Sequence, residues 1–265
     1  MEDCKHYGSA YHSYLEYTVG IKKIRVNPRY PCPPLSSYNY SPVTRPFMFA
    51  IESQVKRIIN SLERFDANPI AGGYVPPFVG EGEIRLIILG QDPTVTKVEE
   101  RNKVQVTLNL DREEGVLRRH VNKVCQGLGL EVDNIYATNV FKYFYTDKPT
   151  KNAATQRVLQ EHAQPNIELL KEELEVYPNL PIITLGEPIL KLLTYPKNKV
   201  QYYWDYDEND KTSHGHFTHV APSDNKLGRD IFPFVHANYY MMRNRLYKDN
   251  FYGYLEYVKE EMKRT

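Results

Sequence analysis

The chain has 265 residues, enough to bury a large core in a single domain, and its 34 Lys and Arg stand against 33 Asp and Glu. The resulting net charge of +1 gives no whole-molecule argument for a polyanionic partner. Three cysteines, Cys4, Cys32 and Cys125, are widely spaced and odd in number, which favours reduced thiols in a cytosolic protein; repeats, a membrane-length apolar span, a basic-then-apolar leader and the GxGxxG and Walker sequences of nucleotide cofactors are absent.

Residues 1–45 read as an irregular extension packed on the domain, because Cys32 to Pro42 is rich in Pro, Tyr and Ser. Residues 46–265 read as one α/β domain. It opens with an amphipathic helix over Phe47 to Phe65 that turns Ile51, Val55, Ile58, Ile59 and Leu62 inward. Arg85 to Leu89 is the first of four continuous apolar runs and ends in the turn Gly90-Gln91-Asp92-Pro93. Val95 to Leu110, with Glu99, Glu100, Arg101 and Lys103, is a charged loop. Val116 to Leu128 has helical spacing that gathers Val116, Leu117, Val121, Val124, Cys125 and Leu128 into one stripe. Ile135 to Thr138 is the second run, followed by Asn139, and a long helix charged on its exposed side covers Thr155 to Tyr177. Leu180 to Leu185 is the third run, with Ile189 to Leu193 as a short helical turn after it. Trp204 to Asp210 reads as a strand and turn leading into Ser213 to His219, where His214, His216 and His219 alternate on the solvent side of a hairpin. The same alternation suits a metal such as zinc, but no Cys or carboxylate completes a known spacing. Ile231 to Val235 is the fourth run, ending at His236, and Tyr239 to Met262 is a closing helix.

Continuous apolar runs, rather than strict alternation, mark strands covered on both faces. Strand alternating with helix argues for βαβ units with right-handed crossovers. The expected fold is a three-layer α/β/α sandwich around a short, mostly parallel four-stranded sheet. Such a sheet gathers its polar turns at the carboxyl edge, where open α/β sheets bind ligands. Taken singly, Asp92-Pro93 initiates a turn, Asn139 caps a strand end and His236 packs or hydrogen-bonds. Taken together, an acid, an amide and an imidazole at three strand ends read as a site. Lys226, Arg229, Arg243, Arg245 and Lys248 bracket the turn of the fourth run, interleaved with Tyr239, Tyr240 and Tyr247. Cations mixed with stacking rings suit a nucleic-acid backbone and exposed bases, and a solvated helix face accounts for the same residues. Most of the 22 tyrosines are expected to be half-buried with a hydroxyl reaching solvent.

Gly90-Gln91-Asp92-Pro93 after an apolar strand, Asn139 closing Ile135 to Asn139, and His236 closing Phe232 to His236 resemble the motifs of the uracil-DNA glycosylase superfamily, over roughly residues 83 to 260. The first motif is similar to that of the family-1 branch, whereas Tyr136 to Lys142 and Ile182 to Gly186 are nearer to families 4 and 5. The resemblance implies hydrolytic, monofunctional removal of uracil or a related damaged base from DNA, without metal or cofactor, by a monomer with no membrane partner. It implies that Asp92 orients the attacking water, that Gln91 and its loop hold the base or a phosphate, that Asn139 reads the flipped base, and that His236 donates to the uracil O2 as charge builds there. Thr94 stands where the family-1 branch has a Tyr that blocks the thymine methyl. Ala237-Asn238 replaces the family-1 Pro-Ser after the histidine, so Tyr239, Tyr240 or Met241 would fill the gap left by the flipped base. Asn238, Tyr239, Tyr240, Arg243, Arg245 and Lys226 are the expected DNA contacts. The alternative is a catalytically inactive superfamily member that binds DNA or a protein through the same cleft.

Overall fold

The computed structural model describes residues 44–62, 67–195, 198–205, 216–237 and 245–264. The readings made of residues 1–43, of His214, and of Asn238, Tyr239, Tyr240, Met241 and Arg243 lie outside the described residues. Helix α1 (Thr44–Leu62) begins just inside the stretch expected to be irregular. The chain continues through β1 (Ile70–Tyr74), β2 (Phe78–Val79), β3 (Leu86–Gly90), α2 (Val98–Arg101), α3 (Val116–Gly127), β4 (Ile135–Asn139), β5 (Tyr143–Tyr145), α4 (Ala153–Leu174), β6 (Ile182–Leu185), α5 (Glu187–Leu193), β7 (Ile231–Phe234) and α6 (Arg245–Met262).

The main sheet has the order β2-β4-β3-β6-β7, with β4, β3, β6 and β7 parallel. These are the four runs anticipated from the sequence. A fifth strand corrects the expected count: β2 adds antiparallel to β4 at the edge. Its two residues, between Pro76-Pro77 and Gly80, are too short to carry any periodicity. A separate antiparallel pair joins β1 to β5. Gly72 and Gly73 in β1 have φ of +82° and +79°, so no apolar run marks that strand either.

Register places the layers. Tyr136, Ile87, Ile182 and Ile231 lie abreast on one face of the sheet, and Ala137, Ile88, Ile183 and Phe232 on the other. Helix α4 covers the first face, since its Glu173 bonds Tyr136 and Thr138. Helix α6 covers the second, with Tyr257 against Phe232 and Tyr254 against Phe234. Helix α3 contacts α6, with His120 against Phe251 and Gly127 close to Leu255, and its Val121, Val124 and Cys125 are fully buried. Val116, placed in that stripe from the sequence, is instead 58% exposed, because the helix starts there beyond the edge of the core. Helix α4 starts with a capping box in which Asn152 and Thr155 satisfy each other's backbone N–H groups.

Of the segment read as a hairpin, residues 206–215 lie outside the described residues; next to it, Thr218 N donates to the Tyr203 carbonyl at 3.0 Å. Val200–Tyr202 is a 3₁₀ turn, and Trp204 is drawn into the core. Its indole N–H donates to the Pro233 carbonyl at 2.8 Å, and its ring packs on Phe234, Phe251 and Tyr254. That contact covers β7, an edge strand where a proline is tolerated. His219 meets the Tyr257 hydroxyl through Nδ1 at 2.6 Å and Asp230 through Nε2 at 3.2 Å. Some tyrosines go deeper than the half-buried position expected of most. Tyr136, Tyr143, Tyr145 and Tyr254 are fully buried, because internal polar partners such as Glu173, Asn166 and His162 satisfy their hydroxyls.

One buried charge pair ties α4 to β4. Lys142 Nζ lies 2.6 Å from Glu173 Oε2, and neither side chain is more than 1% exposed. Glu173 Oε1 accepts from the Tyr136 hydroxyl at 2.7 Å and from the Thr138 hydroxyl at 2.9 Å, and Lys142 Nζ donates to the Asn139 carbonyl at 2.6 Å. Removing one partner of such a pair leaves an uncompensated buried charge. Glu173→Gln and Lys142→Met are each expected to destabilise the fold by roughly 3–5 kcal/mol, and the double variant Lys142→Met/Glu173→Gln by much less than their sum. Urea unfolding of the three variants measures this; strict additivity would show that the charges are not coupled.

Candidate active site

The carboxyl ends of the four parallel strands meet at one edge, and the first two are interlocked. Gly90 of β3 lies in register with Asn139 of β4. Past the strand ends the two turns stay bonded, with Val140 N donating to the Gly90 carbonyl at 3.0 Å and Phe141 N to the Gln91 carbonyl at 2.9 Å. A Cβ on Gly90 would come within 2.2 Å of Asn139 Oδ1 and 2.9 Å of Leu108 Cδ2. Glycine is therefore required for Asn139 to lie across the strand end. The Asn139 residue is 1% exposed, and its Oδ1 has no hydrogen-bond partner.

The turn after β3 closes around Asp92. Oδ2 accepts from the Thr94 backbone N–H and Oδ1 from Gln91 Nε2, each at 2.8 Å, and the Thr94 hydroxyl donates to the Asp92 carbonyl at 3.2 Å. Thr94 has φ of +50°, a left-handed conformation that a β-branched residue adopts only where its surroundings impose it. Asp92 is 8% exposed. Burial pushes its carboxyl up to about 6 from the ordinary 3.8, against the opposing pull of the Thr94 and Gln91 hydrogen bonds.

His236 follows β7 through the buried Val235. Gly186, at the end of β6 with φ of +97°, comes so close that an added Cβ would sit 3.1 Å from His236 Cβ. Gly186 N donates to the Phe234 carbonyl at 2.7 Å, which locks the two strand ends together. From α3, His120 Nε2 donates to the Val235 carbonyl at 2.9 Å. Burial pushes the His120 imidazole down to about 4, so a neutral ring holds the residue before His236. Solvent reaches part of the His236 ring, but partial burial still holds it below its ordinary pKa and favours the neutral form.

Asp92, Asn139 and His236 line one cavity of about 570 Å³, together with Gln91 and Thr94. This is the size range of a small-ligand site, at the position where parallel sheets bind ligands. Apolar walls come from Val75, Val104, Leu108, Leu117, Leu185 and Val235. Lys148, Thr150 and Glu187 also line it, as does Asn109, whose polar neighbourhood the sequence did not reveal. Asn109 sits in the segment read only as a charged loop. That segment is ordered by Arg101, which donates to the carbonyls of Val95, Thr96 and Tyr145. Among the described residues, no three His, Cys, Asp or Glu side chains converge to hold a metal ion.

The basic patch is split. Lys226 and Arg229 precede β7, so a parallel strand carries them to the amino edge of the sheet, opposite the cavity. There the Lys226 N–H donates to the Leu193 carbonyl, and the Arg229 guanidinium donates to the carbonyls of Leu174, Tyr177 and Leu180. Their placement beside the site, expected from the sequence, is thus corrected. Arg245 is the first residue of α6.

The electrostatics of Asp92 carry a stability signature. Its folded pKa lies above its unfolded one, so the contribution is fully present below about pH 4 and is lost as pH rises through about 6, a swing of roughly 3 kcal/mol. An amide at this position keeps both hydrogen bonds once the Gln91 carboxamide rotates. Asp92→Asn is therefore expected to melt higher than the parent at pH 8 and no higher at pH 4. Thermal scans at the two pH values test this, and an equal gap at both would contradict it.

The family model described as the Uracil DNA glycosylase superfamily matches residues 76–259, a span that includes all four parallel strands and every residue lining the cavity except Val75. No curated protein matches the chain. Members of the matched family are in general hydrolytic glycosylases that act on DNA. With a match over more than half its length, on an α/β sandwich of the expected kind, this chain belongs to the uracil DNA glycosylase superfamily.

Proposed function

We propose that the protein hydrolyses the N-glycosidic bond of uracil, or of a related damaged base, in DNA. The observation that carries this reading is the convergence of a buried carboxylate, a buried carboxamide and an imidazole, from three different strand ends, on one cavity. The target nucleotide turns out of the stack into the cavity. There the Asn139 carboxamide, offering a donor and an acceptor side by side, pairs with the base edge. The bond between the sugar carbon and the base nitrogen breaks through an oxocarbenium-like state, as at other glycosidic bonds. Asp92 places negative charge near that carbon and takes a proton from the water whose oxygen forms the new bond. His236, held neutral, donates to the departing base as anionic charge builds on its oxygen, and the base is protonated from solvent after release. The tyrosines and cations proposed to grip the strand are those of residues 238–244 in the sequence, with Arg245 and with Lys148, which lines the cavity.

The carboxylate form of Asp92 is the active one in this scheme. Base release is therefore expected to rise with pH through about 6, and to fall about tenfold per pH unit below it. Asp92→Asn is expected to lower release by roughly a hundredfold or more while DNA binding survives, because the lost charge acts in the transition state. The assay is release from a uracil-containing oligonucleotide followed by alkaline scission, run across pH for the parent. Equal rates in parent and variant would refute the role of Asp92, and a parent that binds DNA but releases no base would favour an inactive binding module.

A further inference from the structure

A second carboxamide faces the cavity. Two of the residues that line the cavity carry a buried side-chain oxygen with no hydrogen-bond partner. They are Asn139, through Oδ1, and Asn109, through Oδ1. Buried polar atoms in folded proteins are bonded in the great majority of cases, so two exceptions on residues that line the same hollow call for a common cause. For Asn139 the cause proposed above is pairing with a base edge. We infer that Asn109 is a further specificity-determining residue of the same site, contacting the bound base beside Asn139; this rests on the glycosylase reading.

The local backbone supports a built position rather than a chance one. Leu108 and Asn109 are consecutive residues in the left-handed region, with φ of +59° and +51°. Such a pair is strained unless the surroundings fix it, and strain of this kind gathers at binding sites. Here the turn is fastened on both sides. The Thr107 N–H and hydroxyl both donate to the Pro76 carbonyl, at 2.8 and 3.1 Å. On the far side, Arg112 N donates to the Asn109 carbonyl and the Arg118 guanidinium to the Leu110 carbonyl. Leu108 presses on Gly90, the residue that also abuts the Asn139 carboxamide. The turn therefore holds the Asn109 side chain rigidly on the same wall of the cavity, prepared for a polar partner at little ordering cost.

A purely conformational role for Asn109 makes a different forecast from a base contact. Gly and Asp both tolerate the left-handed region, so a turn-forming asparagine is replaced by either with little loss. A base contact is impaired with both, because Gly has no side chain and Asp, though it keeps an acceptor oxygen, loses the amide donor and sets a negative charge against the base. Asn109→Gly and Asn109→Asp are expected to lower kcat/KM on a deoxyuridine oligonucleotide by about tenfold or more, with the melting temperature unchanged in the Gly variant. A second readout is independent of catalysis. In ¹⁵N-labelled protein titrated with free uracil, the Asn109 side-chain amide resonance is expected to shift together with that of Asn139. Either variant retaining the parent's kcat/KM within about twofold would overturn the role of Asn109 alone. If the parent releases no base, the glycosylase reading fails separately, and the titration then decides for Asn109: a shift upholds the contact and a static resonance overturns it.

Discussion

The Lys142–Glu173 pair, buried between α4 and β4, is the constraint on which the candidate site rests. Charges without solvent are not a strong source of net stability, since desolvation offsets most of their attraction. What they impose is uniqueness. Glu173 must face Tyr136 and Thr138, and Lys142 must reach back to the Asn139 carbonyl, so α4 has one acceptable register against β4. A slip of a single residue along the helix would strand a charge in the core. The last residue of β4, which lines the cavity, is thereby held from behind.

The same logic recurs at the other strand ends. Gly90 exists as glycine because Asn139 and Leu108 occupy the space where its Cβ would be, and Gly186 because His236 passes close by. Thr94 accepts a left-handed backbone so that its N–H can reach Asp92. His120, neutral in the core, fixes the carbonyl just before His236. Each side chain proposed for chemistry is thus positioned by a neighbour. Such preorganisation limits the reorganisation required during reaction.

The site also works against the fold. A carboxylate in a dry turn and two carboxamide oxygens without partners are costs that a structure optimised for stability would not carry. All three lie on one cavity, whereas the Trp204 indole N–H in the aromatic cluster has its partner in the Pro233 carbonyl. A ligand in the cavity would offset these costs.

The sequence by itself determined the parallel strands, the main helices and the three polar residues at the strand ends. Those features are local: a continuous apolar run or a helical stripe reports how a short segment meets the core, and Asp92, Asn139 and His236 each follow such a run directly. Tertiary structure alone decided what depends on which segments become neighbours. The partnership of Lys142 with Glu173, the turn that delivers Asn109 to the cavity, and the burial of tyrosines read as half-exposed all join distant parts of the chain. Lys226 makes the point most plainly: it is near His236 in sequence, yet β7 runs between them and sets them at opposite edges of the sheet. Local pattern fixes the direction in which a side chain leaves the backbone, but the dielectric it meets and the partner it finds are set by strand register and helix packing, which no single segment encodes.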